Sequence, residues 1–116
     1  METKTKILEA KIHNLRFWVS EYEPKVLQVQ FQNYLEQVGF VILNFTDHYF
    51  PVQGYTAFWL LAESHLAIHT FPDKGWSYVE LSSCSQKKSE DFKSLVNAGK
   101  LNMKWNGDGV EICVPE

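Results

Sequence analysis

The chain is poor in the features that would tie it to a disulfide framework, a membrane or a polyanion. Only two cysteines, Cys84 and Cys113, occur among its 116 residues. Two thiols without metal-ligand spacing predict free thiols in a reducing compartment rather than a covalent staple. No apolar run approaches the roughly 20 residues that cross a bilayer. The start, Met1-Glu-Thr-Lys-Thr-Lys, leads into mixed sequence without the apolar stretch of a signal peptide, so a cytoplasmic location and no membrane partner are expected. Basic residues are also few: 11 Lys and Arg stand against 14 Asp and Glu, and no basic run is longer than Lys87-Lys88. Such a surface offers no footprint for nucleic acid. Internal repeats, linkers and low-complexity segments are missing too, and the length suits one domain over residues 1–116.

What is plentiful is apolar and aromatic material, at 45% and 15% of the residues. That is enough to offset the ordering entropy of a compact core. Ile7 to Val19 alternates as a strand does, with a phase slip near His13-Asn14 that predicts a bulge or break. Glu23-Pro24 opens a helix whose stripe is Leu27, Phe31, Tyr34, Leu35 and Val38, and Gly39 closes it. Strands are predicted at Phe40–Phe45, Tyr55–Leu61, Leu66–Phe71 and from Trp76 to near Cys84, with Pro72-Asp-Lys-Gly75 as a turn. Ser89 is the expected N-cap of a second helix carrying Phe92, Leu95 and Val96 and ending at Gly99. Leu101–Trp105 and Val110–Val114 flank Asn106-Gly-Asp-Gly109, a hairpin signal. Helices separated by runs of strands predict an α+β fold, a two-layer sandwich with an antiparallel sheet covered on one face by helices.

Reactive side chains are densest between Gly54 and Cys84, at Glu63, Ser64, His65, His69 and Cys84. Glu63-Ser64-His65 forms a polar group between two core-like strands, where the chain must turn, and loop ends of this kind often carry function. His65 and His69 share one face of a strand, because side chains alternate with period two. With Cys84 they could ligate zinc, although no C-x-x-C or H-E-x-x-H arrangement accompanies them and no metal is expected. Cys84 could instead be a nucleophile activated by His69, or a packed core thiol. Residue chemistry leaves these open.

The ordered string Glu63-Ser-His-Leu-Ala-Ile-His69-Thr-Phe-Pro-Asp73, with Cys84 twenty residues after the serine, resembles the processing-site motif of bacterial and archaeal S-adenosylmethionine decarboxylases. The resemblance covers roughly the central third of the chain. It implies a zymogen that cuts itself between Glu63 and Ser64 by autocatalytic cleavage, leaving a pyruvoyl group generated from Ser64 as its cofactor. It implies that Thr56 stands where a serine usually assists that cleavage, that His69 removes a proton, and that Cys84 protonates the substrate carbon after carbon dioxide leaves. The pyruvoyl carbonyl would form a Schiff base with the amine of S-adenosylmethionine, the small-molecule substrate, in a lyase that feeds spermidine and hence polyamine biosynthesis. Phe50 would stack on the adenine, with Phe71 beside it and Glu63, Leu66 and Asp73 near the bound substrate; for Phe50 and Phe71 ordinary core packing is the other reading. A homodimer is implied as well.

Departures from that family pattern fall mostly at the substrate end. Phe71 replaces a more usual Trp, Asp73 a longer Glu, and Ser85 a glycine after the cysteine, while Lys11-Ile-His13 only loosely resembles the family's Gly-x-His. They keep two alternatives in view: a pyruvoyl decarboxylase of another amino acid such as arginine or ornithine, and a non-catalytic homologue acting as a binding or regulatory subunit.

Overall fold

The structure, a computed structural model, describes residues 11–99 and 102–105. Eight elements follow in order: β1 His13–Val19, α1 Pro24–Val38, β2 Ile42–Tyr49, β3 Tyr55–Leu61, β4 Ser64–Phe71, β5 Trp76–Ser83, α2 Gln86–Ala98 and β6 Met103–Trp105. The strands form one sheet in the order β2-β3-β4-β5-β1-β6, and every neighbouring pair is antiparallel. Both helices cover the same face, so the predicted α+β two-layer sandwich is the observed fold.

Period-two alternation decides which side chains meet the helices. Phe17 and Val19 of β1, Ala57, Trp59 and Leu61 of β3, Leu66 and Ile68 of β4, and Val79 and Leu81 of β5 form one buried cluster with Leu27, Phe31, Tyr34 and Leu35 of α1 and Phe92 and Val96 of α2. Burying each of the larger of these side chains is worth about 1.5–3 kcal/mol. The opposite face carries Trp18, Tyr78, His65, His69 and Phe71, with Thr56, Phe58 and Leu60 beside them. Trp18 is buried there between Phe71 and Tyr78, at ring-centroid distances of 5.6 and 5.2 Å.

The helix ends show how local chemistry sets the frame. Pro24 occupies the first turn of α1, where its missing N–H is not needed. At the other end Gly39 adopts φ 95°, its N–H donates to Glu36 O, and Phe40 N–H donates to Leu35 O. This pair of bonds satisfies the last carbonyls and turns Phe40 into the core.

Several boundaries differ from the sequence reading. The first strand begins at His13, where the phase slip was expected; the residues before 11 lie outside the described part. The strand expected at Phe40–Phe45 runs instead from Ile42 to Tyr49, because Phe40 is consumed by the end of α1 and β2 extends through polar residues along β3. The second helix starts a turn earlier than expected. Its N-cap is Ser85, whose hydroxyl accepts the Lys88 N–H at 3.2 Å, and Ser89 lies inside the helix, buried, donating to Ser85 O at 2.8 Å. Of the expected final hairpin, Met103–Trp105 forms β6 against β1; Val110–Val114 and the turn before it lie outside the described residues.

Candidate active site

Strand β4 carries reactive groups at both ends. Leu61 pairs with Ser64 across a two-residue connection, so Ser64 and His65 begin the strand rather than lying in a loop. Within that connection Glu63 has φ 60°. A left-handed conformation without glycine costs about 1–2 kcal/mol, because Cβ crowds the following carbonyl. Glu63 is the single non-glycine residue with positive φ among those described, and it supplies the carbonyl of the bond to Ser64. Ser64 faces the helix layer opposite Ser83, and its Oγ donates to Ser83 Oγ at 2.9 Å. Cys84, an exposed free thiol, follows Ser83 directly. Glu63, Ser64 and Cys84 share with Phe40, Ala62, Ser85 and Lys88 a cavity of about 120 Å³.

The other end of β4 lies beside the start of β3. Thr56 pairs with His69 in register, and Thr56 Oγ1 and His69 Nδ1 are 3.0 Å apart. When Nδ1 carries the proton and donates to Thr56, Nε2 is left unprotonated, the form that a general base requires. Beneath the imidazole lies the Tyr78 ring, nearly parallel at 6.5 Å. Burial holds the Tyr78 phenol above its usual range, and Glu80 adds to this while Arg16 opposes it. On the helix face the Thr70 hydroxyl accepts the Tyr55 N–H at 2.9 Å, pinning the two strands together next to the Thr56–His69 pair.

Two turns bring aromatic and acidic groups to this end. Phe50 N–H donates to Gly54 O at 3.0 Å, closing a tight connection in which Gly54 takes φ 109°. Phe71 O accepts from Lys74 N–H and Gly75 N–H, and this turn presents Asp73. Phe50, Thr56, His69, Phe71 and Asp73 line one open pocket of about 390 Å³, with Gln53, Gly54, Tyr55, Thr70 and Pro72.

The expected site residues thus fall into two groups. Ser64, Glu63 and Cys84 meet at one end of β4; Thr56, His69, Phe50, Phe71 and Asp73 meet at the other. Ser64 and His69 are five positions apart, roughly 16 Å along a strand, and an odd offset turns them to opposite faces. Cys84 and His69 therefore do not pair within one chain. Leu66 joins neither group, since it is fully buried in the helix-covered core opposite Leu81. Among the described residues no three His, Cys, Asp or Glu side chains cluster as metal ligands would, and no helix is long and apolar enough to cross a membrane. The sequence reading passed over Ser83, Tyr78 and Thr70. Ser83 was legible as an inward position, in phase with Val79 and Leu81, but its partner across the sheet was not.

Comparison with known proteins identifies the family. The family model described as S-adenosylmethionine decarboxylase matches residues 21–103. The S-adenosylmethionine decarboxylase proenzyme of Prochlorococcus marinus strain MIT 9313 is 42% identical over 52 residues, 45% of this chain and 42% of that protein. The proenzyme of Syntrophomonas wolfei is 35% identical over 78 residues, 67% of this chain and 61% of that protein. The chain thus spans about half the length of the relatives it matches. A crystal structure of the adenosylmethionine decarboxylase from Aquifex aeolicus shares the fold, with a TM-score of 0.55 at 16% identity, covering 89% of this chain and 96% of that one. The matched span runs from the residues before α1 into β6 and includes both ends of β4, and on that evidence the chain belongs to the S-adenosylmethionine decarboxylase family.

Proposed function

We propose that the chain is the proenzyme of a pyruvoyl-dependent decarboxylase of S-adenosylmethionine, cut between Glu63 and Ser64, that supplies spermidine biosynthesis in the cytoplasm. The observation that carries this reading is the Ser64 hydroxyl, which follows a left-handed Glu63 and opens with Cys84 on one small cavity. An amide resists attack unless a hydroxyl is held against it, and a strained residue on its acyl side raises the ground state. Ser64 Oγ would bond to the Glu63 carbonyl carbon as the C–N bond to Ser64 breaks, with the hydroxyl proton passing to the Ser64 nitrogen. Loss of the Ser64 α-proton then expels the Glu63 carboxylate, and hydrolysis of the resulting dehydroalanine end with one water releases ammonia.

The residues around Ser64 fit a pyruvoyl group: the position heads a strand, faces a cavity and has a thiol beside it. Once formed, such a group supplies an electron sink for a substrate amine. Cys84, exposed on that cavity, is suited to deliver a proton to the carbon that has lost carbon dioxide. Phe50 and Phe71 offer faces to an adenine or a sulfonium cation, and Asp73 offers a negative charge.

The separation of the two groups supports a homodimer. His69 and Thr56 cannot reach Ser64 of the same chain, so a complete site needs the His69 end of a second copy against the Ser64 end of the first. The Ser64 end offers such a contact its exposed Cys84 beside the small cavity, and the His69 end its open pocket.

Intact mass of the purified protein tests the cleavage, which is expected to yield two chains parting at Glu63–Ser64; a chain that stays whole under conditions that process its relatives would sink this reading. Carbon dioxide release measured side by side with S-adenosylmethionine, arginine and ornithine tests the substrate. Turnover of S-adenosylmethionine alone is expected, and turnover only of another amino acid would refute that half.

A further inference from the structure

Ser83, the last residue of β5, is a buried hydroxyl at 1% exposure with two partners. Its Oγ accepts the Ser64 hydroxyl at 2.9 Å and the Ser85 N–H at 3.0 Å. A hydroxyl oxygen has two acceptor lone pairs, so these two bonds use both. Ser85 is itself fixed: its side chain caps α2 by accepting the Lys88 N–H, and its carbonyl accepts the Ser89 hydroxyl. The chain of bonds therefore runs from the first turn of α2 through Ser85 and Ser83 to Ser64 Oγ.

We infer that Ser83 is a positioning residue for the self-cleavage, holding the Ser64 hydroxyl in the rotamer that attacks the Glu63 carbonyl carbon. The inference rests on the cleavage reading above. A free serine side chain samples three staggered wells. Anchoring by a partner that cannot itself swing removes two of them, and the register pair Ser64–Ser83 on the helix-covered face makes that anchor part of the sheet. Ser83 adds and removes no atom: the hydroxyl proton of Ser64 still ends on the Ser64 nitrogen as the amide becomes an ester.

The test compares cleavage half-times of the full chain by intact mass, with hydroxylamine added in parallel to trap the ester and so report its formation separately from the later elimination. Ser83→Ala is expected to slow ester formation about tenfold, the scale of one lost hydrogen bond and one lost rotamer restraint. Ser83→Thr keeps the hydroxyl and is expected to cleave within about threefold of the parent chain, whereas Ser83→Val, which has the same shape without the hydroxyl, is expected to match Ser83→Ala. Because Thr and Val fill the site alike, that pair separates positioning from packing even where the alanine variant fails to fold. Equal rates for Ser83→Thr and Ser83→Val, or a Ser83→Ala chain as fast as the parent or faster, would overturn the inference and leave the cleavage reading standing. A parent chain that never cleaves overturns both.

Discussion

The two ends of β4 are built differently although one strand carries both. At the Ser64 end the groups are small, hydroxyl-rich and packed against the first turn of α2, around a cavity of about 120 Å³. At the His69 end they are aromatic and open, around a pocket of about 390 Å³. A cramped, hydrogen-bonded corner suits a reaction of the chain on itself, where the reactants are already joined and only orientation is missing. A wide aromatic pocket suits a ligand that must enter and leave. The difference teaches that the two groups of reactive side chains are laid out as separate structures, one at each end of a single strand.

Removing the nucleophile tests the first half of that contrast with the largest effect. Ser64→Ala is expected to abolish cleavage altogether, read as a single intact mass, while the fold survives: the substitution deletes one hydrogen bond to Ser83, worth about 1 kcal/mol. Next in size is complementation. Ser64→Ala and His69→Ala chains, each expected to stay whole when made alone, should upon co-expression yield cut His69→Ala chains if, as proposed, two copies share each site. Mass spectrometry distinguishes the two chains, and an uncut mixture would mean that each chain must supply both groups itself.

A smaller effect is expected from trimming the wide pocket. Phe50→Ala and Phe71→Ala each remove an aromatic face worth about 0.5–1.5 kcal/mol in such contacts, so KM for S-adenosylmethionine should rise about 2- to 12-fold. Cleavage at Glu63–Ser64 should proceed regardless. Loss of cleavage in either variant would erase the distinction between the two ends.

Most of this frame was legible in the sequence because it rests on local signals. Pro24 and Gly39 bracket α1, and alternation marks β3, β4 and β5. What escaped were features set by pairing across the sheet. The Thr56–His69 contact depends on the β3–β4 register, and the Ser64–Ser83 contact on the β4–β5 register; neither can be counted out along one chain. Ser89 resembles a helix start because two acidic residues, Glu90 and Asp91, follow it, whereas Ser85 is the serine whose hydroxyl reaches an N–H three residues on. The separation of Ser64 from His69 could have been deduced from their odd offset. Motif spacing obscures it, because a motif lists residues by offset without saying which face of the sheet each one takes.

The smallest expected effect concerns the core beneath the His69 end and its response to pH. Tyr55 precedes Thr56, its phenol donates to Asp47 at 2.7 Å, and its N–H holds Thr70. Burial is the main cause that pushes this phenol above its ordinary value of 10.0, with the hydrogen bond to Asp47 and its charge adding to the rise and Gln28 opposing it. A phenol that ionises later in the folded chain than in the unfolded one leaves stability intact below pH 10 and drains it above, because the unfolded chain releases its proton first. Thermal unfolding midpoints should therefore fall as pH rises from 9 to 11. Tyr55→Phe removes the titrating group and the Asp47 bond together, so it should lower the midpoint at pH 8 yet flatten the alkaline fall. Tyr78, raised by its own burial, should keep part of that slope. An alkaline fall as steep in Tyr55→Phe as in the parent chain would mean that the His69 end does not rest on this buried phenol.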